Sequence, residues 1–209
     1  MQAKSTLFLL FAFAACAASA PPASAQTSLA LSAYGAFSGA SNGNGTQESP
    51  ANSAGGLFEL RHISNPIFGF EATYSFNRAN ETYSGPVPFC PVGVVPCVPT
   101  SSQSIRADAH ELTADWTPSL HIANFRPFGV LGVGLLLNVP TSGQSSTSTS
   151  TKPVYVYGAG LDWGLLPHLG LRFQYRGNLY KAPDVSTLYT STDAFTHTAE
   201  PMIGIYLRL

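Results

Sequence analysis

From Pro153 to Arg176 the chain reads PVYVYGAGLDWGLLPHLGLRFQYR, two alternating runs joined by a short Leu-Pro-His turn. A period of two residues is the strand signal, and two such runs about a short turn form a β-hairpin. In the second run Leu169, Leu171, Phe173 and Tyr175 share one face, with Gly170, Arg172, Gln174 and Arg176 on the other. In the first, Tyr155, Tyr157, Ala159, Leu161 and Trp163 oppose Val156, Gly158, Gly160, Asp162 and Gly164. A soluble sandwich would bury the greasy face in protein. Similar hairpins recur along a chain that opens with an export signal, which favours the reverse arrangement, with lipid outside and a small polar lumen inside.

The export signal consists of Lys4, the apolar run from Leu7 to Ala18, and Ala23-Ser24-Ala25 as a small-residue cleavage site. The expected mature chain is residues 26–209, a single domain. Cys16 within the signal offers a lipoprotein cleavage site as an alternative, with Phe13 a poor residue for it. No later run reaches the roughly 18 apolar residues of a transmembrane helix, so a membrane location demands a barrel. Charged residues make up 10% of the chain, against about 25% in soluble domains. Lipid-facing strands explain the deficit. Without Lys4 the mature net charge is −2, which gives no reason to expect a nucleic-acid partner. Cys90 and Cys97 lie in a proline-rich loop, where an exported protein is expected to close a disulfide. With no clustered histidines beside them, neither a metal site nor a cofactor is expected.

Taken in order, strand one runs from Leu29 to Phe37, with Leu29, Leu31, Ala33 and Phe37 outward and Ser32, Tyr34 and Ser38 inward. GASNGNGTQESPANSA follows as a solvated loop. Strand two, Gly56 to His62, puts Phe58 and Leu60 out and Glu59 and Arg61 in. Ser64-Asn65-Pro66 turns into strand three, where Phe68, Phe70, Ala72, Tyr74 and Phe76 alternate with Gly69, Glu71, Thr73, Ser75 and Asn77. Residues 84–104 read as a long loop, too rich in proline for a sheet interior. Strand four spans about Arg106 to Trp116, with Glu111 and Asp115 inward. Strand five spans Pro127 to Val139, with Leu131, Val133, Leu135 and Leu137 out. A low-complexity loop, PTSGQSSTSTSTKP, leads into the hairpin already described. The polar loop APDVSTLYTSTDAF then precedes strand eight, Thr196 to Leu209, with Ile203, Ile205, Leu207 and Leu209 out and Glu200, Gly204, Tyr206 and Arg208 in.

The expected fold is all-β, an eight-stranded antiparallel up-and-down transmembrane barrel. Its strands approach the roughly 9–11 residues that a tilted membrane strand needs. Connections alternate long and short, which orients the long loops outside the cell and the short turns in the periplasm. Trp116 and Trp163 fall at the short-turn end, and Tyr74, Phe76 and Tyr155 at the other, as two aromatic girdles.

Three segments carry a resemblance: Arg126-Pro127-Phe128-Gly129-Val130-Leu131-Gly132-Val133-Gly134, Tyr157 to Asp162, and Leu169 to Arg176. They resemble the fifth, sixth and seventh strands of the small outer-membrane β-barrel family that includes the OmpA-like transmembrane domain and OmpW-like proteins. The resemblance implies a bacterial outer-membrane location and contact with outer-membrane lipid. It also implies a C-terminal strand read by the barrel-assembly machinery. Members usually end on an aromatic residue, whereas this chain ends on Leu209 with the alternating Ile-x-Ile-x-Leu-x-Leu tail retained.

The inward faces hold Glu59, Arg61, Glu71, Glu111, Asp115, Asp162, Arg172, Arg176, Glu200 and Arg208. An eight-stranded barrel is about wide enough for its own side chains, so mixed charges there are expected to pair into a structural plug. Inward Gly132, Gly134, Gly158, Gly160 and Gly204 are expected to leave room for Arg172, Arg176 and Tyr206. No catalytic residue is assigned. His62-Ile63-Ser64-Asn65 is similar to the His/Ser part of outer-membrane lipid A deacylase sites, but lies at a short turn where Ser and Asn serve turn chemistry. The leading reading is a non-enzymatic structural and surface-display barrel, with any ligand or receptor role in its loops. A narrow porin-like conduit for small solutes, hydrophobic ones included, and a lipid A-modifying enzyme are the alternatives. A lipocalin-like soluble barrel would put Arg and Glu outside and fits badly.

Overall fold

The computed structural model describes residues 25–85, 101–141 and 146–209. The signal segment up to Ser24, Cys16, Cys90 and Cys97 lie outside them. Ten strands are present among the described residues: β1 Gln26–Ser38, β2 Ser41–Gly43, β3 Thr46–Pro50, β4 Ser53–Ile63, β5 Gly69–Gly85, β6 Ser101–Trp116, β7 Phe125–Pro140, β8 Ser150–Gly164, β9 Leu169–Lys181 and β10 Phe195–Arg208. They form one antiparallel sheet in the order β2-β3-β5-β4-β1-β10-β9-β8-β7-β6, and β5 pairing with β6 closes it. The closed ring is the eight strands β1 and β4 to β10. Strands β2 and β3 are a flap hydrogen-bonded to the upper part of β5.

Alternation sets which way each side chain points, and the burial is inverted relative to a soluble protein. Leu131, Val133 and Leu135 are each more than half exposed, while Arg61, Arg172 and Arg176 are fully buried. The apolar outer face is stabilised only by an apolar solvent, so lipid is the medium this surface fits. Tyr34 points inward, as its place in the alternation predicts. Trp116 anchors the short-turn rim, its indole N–H donating to the Ile67 carbonyl at 2.7 Å. Trp163 stacks on Phe125 at the same end.

Four connections differ from their reading as plain loops. The stretch after β1 is not an unstructured solvated link but the β2–β3 hairpin. Asn44 and Gly45 both adopt positive φ (51° and 78°) at its turn, the backbone a two-residue Asn-Gly hairpin turn requires. Residues 84–104 are not loop throughout: β5 continues to Gly85, β6 begins at Ser101, and the two pair along that whole length. The outward residues of β5 above Phe76 are Arg78, Asn80 and Thr82, so this hairpin leaves the lipid near Phe76 and projects beyond it. Strand β8 likewise starts at Ser150, within the low-complexity segment. Finally, the polar segment between β9 and β10 folds back over the mouth and buries Ala182, Val185 and Tyr189. Val185 and Tyr189 pack with Tyr83 and Ile105 in a small apolar cluster at the long-loop end.

Candidate functional site: the barrel interior

Strand parity delivers the inward side chains, and the ring of eight strands brings opposite walls within side-chain reach. Nearest the short-turn end lies a cluster from β4, β5, β8 and β9. Arg172 donates through Nε and Nη2 to the two oxygens of Asp162 (2.7 and 2.9 Å) and through Nη1 to Glu59 (3.0 Å). Arg61 donates through Nε to Glu71 at 2.7 Å and through Nη1 to Asp162 at 3.4 Å. Its Nη2 lies 2.6 Å from Glu71 and 3.9 Å from Glu59. Strands β4 and β8 are diametrically opposed in the ring, so the Arg61–Asp162 pair crosses the lumen. Phe128 from β7 supports the cluster, with the Arg61 guanidinium 3.9 Å from its ring centre and Arg172 at 5.3 Å, a favourable cation–π geometry.

A second cluster lies one layer outward. Arg176 Nη2 is 3.2 Å from Glu111 and 3.7 Å from Asp115, and Nη1 donates to Thr73 at 3.1 Å. Thr113 donates to Asp115 at 2.9 Å, and Asn178 donates to Glu111 at 2.9 Å. Above this sits an enclosed cavity of only about 30 Å³, walled by Ala36, Ala79, Ala107 and Ala109 with Glu81 and Glu200, room for no more than a few waters.

The β9–β10 segment folds over the outer ends of β5, β6 and β8 as a roof. The Tyr83 hydroxyl donates to the Pro183 carbonyl, and the Val185 amide donates to the Tyr83 hydroxyl at 3.3 Å. Ser186 donates to Gln103 at 2.6 Å, Lys152 pairs with Asp184 at 2.5 Å, and Asn44 donates to the Ser191 carbonyl at 2.9 Å. Beneath this roof Glu48 is almost fully buried. Burial, reinforced by Glu81, pushes its carboxyl up to about 9. Burial alone pushes Glu81 up to about 7. Both are therefore protonated over a range where carboxyls are ordinarily charged.

Of the ten inward residues read from the sequence, the structure brings eight into the two ion-paired clusters. Glu200 and Arg208 point inward but join no ion pair among the described residues. Arg208 instead donates to the Tyr206 hydroxyl at 3.0 Å. The expected glycine role is also redistributed. A Cβ on Gly160 would lie 2.3 Å from Phe128 Cζ, so this glycine makes room for the aromatic support rather than for an arginine. Phe128 and Arg126 were not among the predicted lumen residues, although both share the parity of Gly132 and Gly134. The His62 ring bonds Thr27 at 2.9 Å, and no contact between His62 and Ser64 appears among the described residues. Asn65 Oδ1 accepts from the amides of Ile67 and Phe68 at 3.0 and 2.9 Å, an Asx-type turn.

A closed antiparallel barrel with an apolar outer wall, aromatic rims and a charged interior is a transmembrane β-barrel of the outer-membrane class. Residues 7–199 match the model of the outer membrane protein beta-barrel domain family, and the chain belongs to that family, whose place is the bacterial outer membrane. Comparison with curated protein sequences finds no match. Among solved structures it is similar to Neisserial surface protein A, at 14% identity over 90% of this chain and 100% of that one, TM-score 0.55. It is also similar to OprG from Pseudomonas aeruginosa, at 13% identity over 89% and 97%, TM-score 0.55. A third is Ail, the attachment invasion locus protein of Yersinia pestis, in complex with the heparin analogue sucrose octasulfate, at 16% identity over 90% and 100%, TM-score 0.50. At these identities the likeness is one of fold.

Proposed function

We propose that the protein is a structural and surface-display barrel of the outer membrane, closed along its axis by its own ion pairs, with any recognition carried by the long loops. The observation that carries this reading is the pairing of Arg61, Arg172 and Arg176 with five carboxylates contributed by β4, β5, β6 and β8, in which Arg61–Asp162, Arg172–Glu59 and the Arg176 pairs reach between strands that are not neighbours. Buried charges are tolerated when paired and hydrogen-bonded, and here their pairing also fills the cross-section through which a solute would pass. The roof over the mouth adds a second closure. The reading assigns no catalytic step and no cofactor, and it includes a signal cleaved after Ala25. Contact with membrane lipid follows from the outer face. Entry through the barrel-assembly machinery rests on the alternating tail, whose Ile203, Ile205 and Leu207 lie on the outward face of β10.

Reconstituted in vesicles, the protein is expected to leave the uptake of small sugars at the rate of protein-free vesicles. Swelling that rises with the amount of protein would replace the closed barrel with the conduit reading.

A further inference from the structure

The charge along the barrel axis is polarised. Acids without a base partner, Glu48, Glu81 and Glu200, lie toward the long-loop end, whereas the short-turn mouth gathers Arg126 from β7, Arg208 from β10 and His121 from the turn between β6 and β7. No side-chain or terminal carboxylate among the described residues lies within 4.0 Å of either arginine's guanidinium. Asp162 stands opposite Arg126 in the β7–β8 pairing, but its oxygens are engaged by Arg172 and Arg61. Arg208 stacks on Tyr206, its guanidinium carbon 5.5 Å from the ring centre. Its Nε is buried with no hydrogen-bond partner. Arg176 Nε is also without one, yet it belongs to a guanidinium already neutralised by carboxylates. The Arg208 group has no such neighbour.

The three bases act on one another. Burial and then the positive charges of Arg126 and Arg208 hold the His121 imidazole below its ordinary range. Arg126 and Arg208 thus carry like charge with no paired acid within reach, a repulsion that a bound anion would offset.

The mouth also has a shaped opening. His121, Ala123, Asn124 and Arg208 line a pocket of about 340 Å³ with the Leu165-Leu166-Pro167 turn. Ala123 is held at a positive φ of 52° within a tight turn whose ends, Ile122 and Phe125, exchange hydrogen bonds of 2.8 and 2.9 Å. The adjoining Asn124 carbonyl accepts from the Gly164 amide at 2.8 Å, which ties the pocket's two turns together. A non-glycine residue kept in that conformation is a cost that the surrounding contacts must hold. Gly164 also keeps the opening clear, since a Cβ there would stand 3.3 Å from Arg208 Nη2.

We propose that the short-turn mouth binds a small oxyanion of the phosphate class from the periplasmic side. Guanidinium forks match phosphate oxygens in a bidentate geometry. Arg208 and His121 line the pocket itself, and a bound anion also relieves the repulsion that Arg126 and Arg208 exert on each other. The site does not depend on whether the lumen above it conducts. A free phosphate and the phosphate of a phospholipid headgroup present the same chemistry, so the test separates them.

The whole chain is purified in a phosphate-free maltoside detergent. Inorganic phosphate is titrated at constant ionic strength and followed by phosphorus NMR line broadening, and in a parallel arm short-chain phosphatidylglycerol is added to the micelles. Saturable broadening is expected in one arm at least, for the natural protein and for Arg78→Gln, a control at the opposite end of the barrel. Binding should be at least about tenfold weaker in Arg208→Gln and lost in Arg126→Gln/Arg208→Gln. The single variant guards against a double variant that fails to fold. Response to inorganic phosphate marks a free-anion site, and response to the lipid alone marks a headgroup site. No saturable broadening in either arm, or equal broadening in the arginine variants, overturns the proposal.

Discussion

Replacing Arg172 with alanine should lower the stability of the folded barrel by about 3–5 kcal/mol, the scale for breaking a buried ion pair from one side. The guanidinium is fully buried and, among the described residues, is the only base that holds Glu59 at hydrogen-bond distance. Once it is gone, Glu59 retains only Arg61 at 3.9 Å, and Asp162 retains only Arg61 at 3.4 Å. Two carboxylates then remain in a dry interior sharing one cation, Arg61, that is already paired with Glu71, and their desolvation is only partly offset. Urea unfolding in lipid vesicles, read by tryptophan fluorescence, measures the loss. The exposed Arg78–Asp108 pair at the outer rim is the control. Although Arg78 holds the Asp108 carboxyl below the usual range, solvent screens the pair, and Arg78→Ala should leave the unfolding midpoint essentially where it was. Replacing Arg172, Glu59 and Asp162 together with apolar residues of similar size should recover most of what Arg172→Ala loses. If Arg172→Ala unfolds like the natural protein, the interior pairs contribute nothing and the structural reading of them fails.

Raising the pH should open the roof over the outer mouth. In the closed state Glu48 keeps its proton up to about 9 and Glu81 up to about 7, whereas both ionise near the ordinary 4.3 once the segment opens to water. Between those limits the open state binds fewer protons than the closed one, so the stability of the closed roof falls as pH rises. Above pH 7 Glu81 has largely titrated in both states, and the remaining dependence up to pH 9 belongs to Glu48. The groups facing Glu48 are Glu81 and Tyr83 from β5, Asp184 from the roof and Lys152 from β8. Of these only Lys152 favours its charge electrostatically, and that lysine is already paired with Asp184. Amide hydrogen exchange at Val185 and Thr187, corrected for the intrinsic rate at each pH, reads the opening. Protection should fall by about tenfold or more between pH 7 and pH 9, since one unit of pKa difference corresponds to a factor of ten. In Glu48→Gln it should stay flat over the same interval. A pH-independent roof in the natural protein would mean that Glu48 is solvated or paired in a way the closed structure does not contain.

Strand parity was legible because lipid imposes it: each outward residue between Leu131 and Leu137 had to be apolar, which fixed its neighbours inward. The same rule would have placed Arg126 and Phe128 inside, had it been carried two more steps toward the short turn. Above the membrane the rule lapses. From Asn77 to Thr82 the outward face of β5 has left the lipid and the inward face lines a small polar cavity, so the hydropathy alternation vanishes and only the pairing with β6 reveals the strand. The β2–β3 hairpin had a readable signal in Asn44-Gly45, submerged in a stretch of uniformly small polar residues. The burial of Val185 and Tyr189 had no local signal, since it is created by Tyr83 and Ile105 about a hundred residues earlier. Which acid meets which base was likewise not local. Partners such as Arg61 and Asp162 are set by the ring closure of β5 on β6 and by the stagger between strands, and two side chains of the right parity, Glu200 and Arg208, end up outside the pairs.

Single-channel recording in planar bilayers tests the central claim most directly, by comparing the natural protein with an Arg172→Ala/Arg176→Ala variant at several salt concentrations. The natural protein should be electrically silent, and the variant, stripped of two cations that span the lumen, should show leak currents. Steady, well-defined openings in the natural protein would contradict a barrel closed by its own ion pairs.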